Sequence, residues 1–278
     1  MATLPLGPRT NGLSRGRRYI DGGLWGVNSH ESAFKALALV ENLRRLAYKR
    51  EHHFRLYFWG RSMDFAAARK RMVASQIRTN EVTDPLVIAA LEAVPREQFV
   101  PAAVRGVAYV DEDLPLGKGR FLMEPMVLAR LLQFANVGVN DTALVVGAGT
   151  GYTAAVLARM VKAVVAVESD RELTDSAART LGELSVNNAT VVMGDLRTGW
   201  AARGPYDVIV VEGAVTAIPE ALKLQLADGG RLVAVVRQGP IGRATLVTRI
   251  GNAFGMRQEF DAVTAVLPGF EPQPKFVF

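Results

Sequence analysis

From Asp141 onward the chain alternates apolar runs with amphipathic stretches. Runs at 142–146, 163–168, 190–193, 206–211 and 230–236 read as strands. Between them, 152–160, 170–185 and 219–226 carry helical spacing. Continuous apolar strands separated by amphipathic helices predict a parallel sheet covered on both faces. The pattern then changes: 244–251 and 256–268 follow each other with no helix between, which predicts an antiparallel pair closing the sheet.

Upstream, 64–80 predicts a helix burying Phe65, Ala68, Met72 and Ile77. Thr83 or Asp84 caps a second helix, with Pro85 at an early helical position, running to about Ala93. The Pro- and Gly-punctuated segments 94–101 and 108–125 predict a lid or substrate-facing loop, and 125–135 predicts a closing helix. Three parts are expected: an N-terminal extension (1–62), a small helical subdomain with a substrate-side loop (63–140) and an α/β domain (141–278). Residues 1–30 lack periodicity and read as disordered, whereas 31–50 can form an amphipathic helix with Phe34, Leu37, Leu43 and Ala47 near one face. Met63 opens a natural first helix and is the expected biological start.

Composition narrows the field by exclusion. The 278 residues contain no cysteine, which removes disulfides, thiolate nucleophiles and cysteine metal sites, and fits a reducing compartment. No apolar run approaches the roughly 18 residues needed to cross a bilayer. The net charge of +6 is confined to one end. Residues 1–62 hold eleven basic and four acidic side chains and all three histidines, while 63–278 hold 22 basic and 23 acidic. The expectation is a monomer in the cytoplasm, with no nucleic acid, membrane or metal partner.

Chemistry concentrates where the strand at 142–146 runs into Gly147-Ala148-Gly149-Thr150-Gly151-Tyr152. A glycine turn between strand and helix lets the backbone approach a ligand, and a helix N-terminus offers free N–H groups. A dinucleotide site calls for G-x-G-x-x-G. The G-x-G-x-G spacing here resembles the S-adenosylmethionine (SAM) turn of methyltransferases. Glu168 ends the second strand, 17 residues after Gly151, where a carboxylate can accept from both ribose hydroxyls. Asp195, followed by Leu196, is placed to accept from the adenine amino group, and Thr150 and Tyr152 to face the methionine end. A dinucleotide-dependent oxidoreductase stays open on these residues alone.

VPREQFVP (94–101), AYVDEDLPLGKG (108–119), GAGTGYTAAVLARM (147–160), the GDL turn (194–196) and YDVIVVEGAVTAIPEALKLQLADGGRLVAVV (206–236) occur in one order. Together they resemble the protein-L-isoaspartate (D-aspartate) O-methyltransferase family. The resemblance implies a class I SAM-dependent methyltransferase: a Rossmann-like, mostly parallel seven-stranded sheet ending in an antiparallel hairpin. It also implies methyl transfer to the α-carboxylate of isoaspartyl residues in a protein or peptide, as protein repair. The family's G-x-G-Q-T-I-S-Q-P segment reads Gly117-Lys118-Gly119-Arg120-Phe121-Leu122-Met123-Glu124-Pro125 here. Met123 stands where the family has the substrate-binding Ser and is expected to be non-functional there. Arg120 is the candidate for a charge-assisted contact to the acceptor, and Glu124 lies beside it. Val145 replaces the acid of the first strand, and Glu212-Gly213-Ala214 replaces T-A-A. A different acceptor, or a SAM-binding module without catalysis, remain the alternatives.

Overall fold

A computed structural model describes residues 63–271. The expectations for 1–30 and 31–50 lie outside the described residues.

Helix α1 (Phe65–Met72) is capped by Asp64, whose carboxylate accepts from Ala67 N. The single helix expected over 64–80 gives way to a π-helical turn (Val73–Ile77) and a 3-10 turn (Arg78–Asn80). Ser75, Thr79 and Asn80 bond back to carbonyls four residues upstream, a competition with the backbone that bends helices. Helix α2 (Pro85–Ala93) starts with Pro85 at N1 and Asp84 accepting from Leu86 N and Val87 N. The segment expected to be a loop is more ordered: strands β1 (Leu114–Gly117) and β2 (Arg120–Leu122) form an antiparallel hairpin before helix α3 (Pro125–Phe134).

The α/β part contributes β3 (Thr142–Val146), α4 (Tyr152–Ala158), β4 (Ala163–Glu168), α5 (Arg171–Glu183) and β5 (Ala189–Met193). It continues with β6 (Tyr206–Val215), α6 (Glu220–Lys223), β7 (Leu226–Arg237), β8 (Gly242–Ile250) and β9 (Ala253–Ala262). Helix α6 is one turn rather than 219–226, because Leu226 already pairs with Tyr206 as the start of β7. The seven strands are ordered β5-β4-β3-β6-β7-β8-β9, parallel from β5 to β7 and antiparallel through β8 and β9. This is the class I methyltransferase layout.

Period-two alternation splits each central strand between two cores. Ala143, Val145, Val164 and Ala166 face one hydrophobic cluster, shared with α1, α2 and α3. Leu144, Val146, Val165 and Val167 face the other. One irregularity positions the site. The register between β6 and β7 slips between Val210 and Ala214, so Glu212 and Gly213 lie in a bulge at the sheet's carboxyl edge. Bulges re-aim side chains. The segment after β9 docks on it: Ala214 N donates to Ala265 O and Leu267 N to Ala214 O. Among the described residues no helix is long and apolar enough to cross a membrane.

Candidate active site

The site lies beyond the carboxyl ends of β3, β4, β5 and β6, where open α/β sheets bind ligands. Its floor is the glycine turn. Gly147, Gly149 and Gly151 all have positive φ, a region costly for any side chain with a Cβ. Close approach adds a second reason at Gly151, where a Cβ would lie 3.2 Å from that of Ala177 in α5. The turn's amides are spent inside the protein rather than left free: Gly147 N and Ala148 N donate to Val167 O, and Gly151 N to Ala148 O.

Gly149 N donates to Glu168 Oε2 at 2.7 Å. Glu168 is fully buried and heavily bonded: its Oε1 accepts from Ser169 N (2.8 Å) and Asp170 N (3.2 Å). The same oxygen accepts from Arg120 Nη1 at 2.7 Å. Arg120 Nη2 donates to Gly147 O at 2.8 Å. Arg120, which the sequence suggested for a contact to the acceptor, is instead 3% exposed and sits over the glycine turn in an ion pair with Glu168. The cause is strand alternation in the hairpin. Leu114, Leu116, Arg120 and Leu122 point inward and Phe121 outward, so the arginine occupies a place in an apolar row.

Beside Glu168 a cleft of about 500 Å³ is lined by Ser169, Gly194, Asp195, Leu196, Arg197 and Gly269 among others. Asp195 Oδ1 accepts from Arg197 N, forming the turn, and Leu196 is buried beneath it. Arg197 donates to Gly269 O and lies over the Phe270 ring, closing one wall. The cleft's size, acidic turn and apolar base suit an adenine ring, and a carboxylate preset by three amides suits ribose hydroxyls. The residue types fit SAM, with Arg120 seated at the ribose end.

Thr150 and Tyr152 lie on the inner side of the turn. The Thr150 hydroxyl donates to Phe99 O. The buried Tyr152 ring packs edge-on against Phe99, 5.5 Å between centroids, and under the Arg96 guanidinium. Burial raises the Tyr152 pKa, so the phenol stays neutral. Arg96 is itself buried, donating to Ala108 O and Met123 O at 2.8 Å each. Burial lowers its pKa from the usual guanidinium value. Near it, in the β6 bulge, Glu212 is 2% exposed, and burial pushes its pKa up to about 8 against the pull of Arg120 and Arg96. Arg96 Nη1, Arg120 Nε, Tyr152 Oη, Thr153 Oγ1 and Glu212 Oε2 have no hydrogen-bond partner among the described residues.

On the acceptor side, Met123 is 1% exposed and packs into the main hydrophobic cluster. Glu124 is half-buried at the start of α3. Burial first, then Asp111, Asp113 and Glu112, push its pKa up to about 7. Asp113 ties three segments, accepting from Glu124 N, Thr264 Oγ1 and Ala265 N. The structure thus gathers Gly147 to Tyr152, Glu168, Arg120, Asp195 and Leu196 at one place and leaves Met123 in the core. Sequence reasoning missed Arg96 and Asp113 as parts of the site. Within VPREQFVP, Arg96 is followed by Glu97 and Gln98 and reads locally as a surface charge; its burial comes from long-range packing, which leaves no local signal. Among the described residues no group of three or more His, Cys, Asp or Glu is placed to hold a metal.

Known proteins share this chain's sequence pattern and fold. The family model for "Protein-L-isoaspartate(D-aspartate) O-methyltransferase (PCMT)" matches residues 67–266. Protein-L-isoaspartate O-methyltransferase 1 of Rhodopseudomonas palustris (strain HaA2) is 44% identical over 169 residues, covering 61% of this chain and 69% of that protein. Its counterpart from Methylorubrum extorquens (strain PA1) is 42% identical over 205 residues, covering 73% and 89%. A solved protein-L-isoaspartate O-methyltransferase superposes with a TM-score of 0.64 at 25% identity, over 72% of this chain and 66% of that one. A putative protein-L-isoaspartate O-methyltransferase from Plasmodium falciparum, solved with S-adenosyl-L-homocysteine, has the same fold (TM-score 0.63, 20% identity, 72% of this chain and 97% of that one). The chain belongs to the protein-L-isoaspartate O-methyltransferase family and is a SAM-dependent methyltransferase.

Proposed function

We propose that this protein methylates the α-carboxylate of isoaspartyl residues in proteins or peptides, starting their return to normal linkage. The observation that carries the reading is the Glu168 carboxylate, oriented by Gly149, Ser169 and Asp170 amides beside a glycine turn and the Asp195 cleft. Bound SAM supplies an electrophilic methyl group on a sulfonium. Glu168 would hold the ribose, Asp195 and Leu196 the adenine, and Gly147 to Gly151 the backbone approach.

A carboxylate acceptor is ionised at neutral pH, so the chain supplies no general base. Its task is orientation and exclusion of water. Arg96 fixes the acceptor-side segment by holding the Ala108 and Met123 carbonyls. Glu212, neutral below pH about 8, adds no negative charge against an anionic acceptor. A different acceptor is the second reading, favoured by Met123, which puts a buried thioether where the family has a hydroxyl.

We take residues 1–62 as an extension, 63–140 as the subdomain carrying the acceptor side and 141–278 as the donor-binding domain. The division of the chain after Ser62 supports the first boundary. We keep a cytoplasmic monomer as the reading, and the near-balanced charge of 63–278 offers no basic footprint for a nucleic-acid partner. The test is transfer of a radiolabelled methyl from SAM to an isoaspartyl peptide, with the aspartyl peptide as control. Base-labile label on the isoaspartyl peptide alone is expected. No transfer at saturating SAM rejects the activity.

A further inference from the structure

The Arg120–Glu168 pair serves two masters. Glu168 is the one carboxylate at the end of β4, beside the glycine turn, and it is fully buried with Arg120 at 2.7 Å. The hairpin that delivers Arg120 covers the turn as well. A Cβ on Gly149 would lie 2.9 Å from Leu116 Cδ1, and one on Gly147 3.1 Å from Arg120 Nη2. At the hairpin's tip, Lys118 Nζ reaches Asp170 Oδ2 and Glu172 Oε2, both at 3.0 Å, pinning it to the start of α5.

We propose that Arg120 controls entry to the donor site: its guanidinium competes with the donor's ribose for Glu168, and the β1–β2 hairpin is the lid that must lift. The proposal rests on reading the glycine turn as the donor site.

Three features separate this from a purely structural ion pair. First, Arg120 is incompletely satisfied, since its Nε has no partner among the described residues. A buried unpaired donor is costly, and a buried ion pair is a poor source of net stability compared with apolar packing. Second, Glu168 keeps three backbone donors when Arg120 leaves, so the carboxylate stays aimed. Third, the hairpin's tip is free of packing, while its stem leucines Leu114, Leu116 and Leu122 are buried and must be drawn out when it lifts. Its turn, Gly117-Lys118-Gly119, has positive φ throughout, and a Cβ on either glycine would meet nothing within 4 Å. The tip is held by one half-exposed lysine rather than by packing.

The specificity consequence is direct. A ligand must bring hydroxyls able to replace the guanidinium on Glu168. Adenine alone reaches only the Asp195 cleft.

The experiment is isothermal titration calorimetry of the full chain with S-adenosylhomocysteine and SAM, comparing wild type, Arg120→Gln and Lys118→Ala. Far-UV circular dichroism checks each fold. Losing a charge-assisted contact that competes with the ligand should tighten S-adenosylhomocysteine binding at least 10-fold in Arg120→Gln. Lys118→Ala, which only loosens the tip, should tighten it about 2- to 5-fold. A natively folded Arg120→Gln with equal, weaker or undetectable binding overturns the proposal. Should Arg120→Gln misfold, Lys118→Ala decides alone, and unchanged binding overturns it. The readout is separate from the activity: a wild type that methylates isoaspartyl peptide beside an Arg120→Gln that gains no affinity rejects the gate only. A tightened Arg120→Gln beside a wild type that transfers no methyl to isoaspartyl peptide rejects the acceptor assignment only.

Discussion

Replacing Glu212 by Gln should make the protein more stable at neutral pH. Glu212 is nearly inaccessible in the β6 bulge, and burial raises its pKa from 4.5 to about 8. Its folded pKa is raised, so the folded state holds a proton between pH 4.5 and 8 that the unfolded chain has lost. Stability from this group is then complete below pH 4.5 and declines as pH rises toward 8, by about 1.4 kcal/mol per unit. Between pH 5.5 and 7.5 the wild type should lose about 3 kcal/mol through Glu212. Gln is nearly isosteric with the neutral acid and has no such slope. The measurement is urea unfolding of both proteins at pH 5.5 and 7.5. With an m-value of about 2–3 kcal/mol per molar, the gap between midpoints should widen by about 1 M in favour of Glu212→Gln at the higher pH. Other titrating groups are common to both proteins and cancel. Parallel pH dependences, or a variant less stable at pH 7.5, would refute the reasoning and mean that Glu212 is ionised in the fold.

Met123→Ser, the substitution that restores the family's hydroxyl, should cost about 2–4 kcal/mol, because it empties a site 1% exposed in the main core. Thermal unfolding should show the loss whether or not isoaspartyl transfer increases. Gly151→Ala should destabilise by about 2–4 kcal/mol, from its φ of 96° and the Ala177 contact. Gly182→Ala, in α5 with open space around it, should be neutral or stabilise by about 0.5–1 kcal/mol in the same denaturation assay. Glu124, with its pKa near 7, is mostly protonated at pH 6 and anionic at pH 8. The KM for an anionic peptide acceptor should therefore rise several-fold between those values in the wild type and stay flat in Glu124→Gln. A Glu124→Gln profile that rises equally removes Glu124 from the acceptor side.

Much of the fold is local and therefore readable. The β3–α4–β4 unit is written in consecutive residues, and its apolar runs alternate between two cores as period two requires. Element ends were less legible where tertiary pairing overrode propensity. Leu226 left its helical pattern to pair with Tyr206, and Ser75, Thr79 and Asn80 turned the end of the first helix. At the site, Glu168 and Asp195 follow strands directly, so their positions could be read from spacing. Arg120 could not. Its sequence neighbours suggested the acceptor loop, and only the hairpin's inward alternation sends it to a carboxylate 48 residues away. Glu212 was legible only as the residue after the apolar run 206–211, and its raised pKa depends on burial that no local pattern records.

The Asp113 junction has a consequence for the order in which the molecule forms. Its bonds to Thr264 Oγ1 and Ala265 N close loops of 151 and 152 residues. Closing a loop of that length in a flexible chain costs about 4 kcal/mol in entropy. The two bonds share that closure and together return about 3–6 kcal/mol, which the closure and the ordering of the residues around them consume. These contacts cannot nucleate anything; they form once the sheet has already carried both ends together. The 264–267 segment that docks on the Glu212 bulge therefore follows the sheet rather than leading it. A chain caught just short of the native state would have its sheet and no working site.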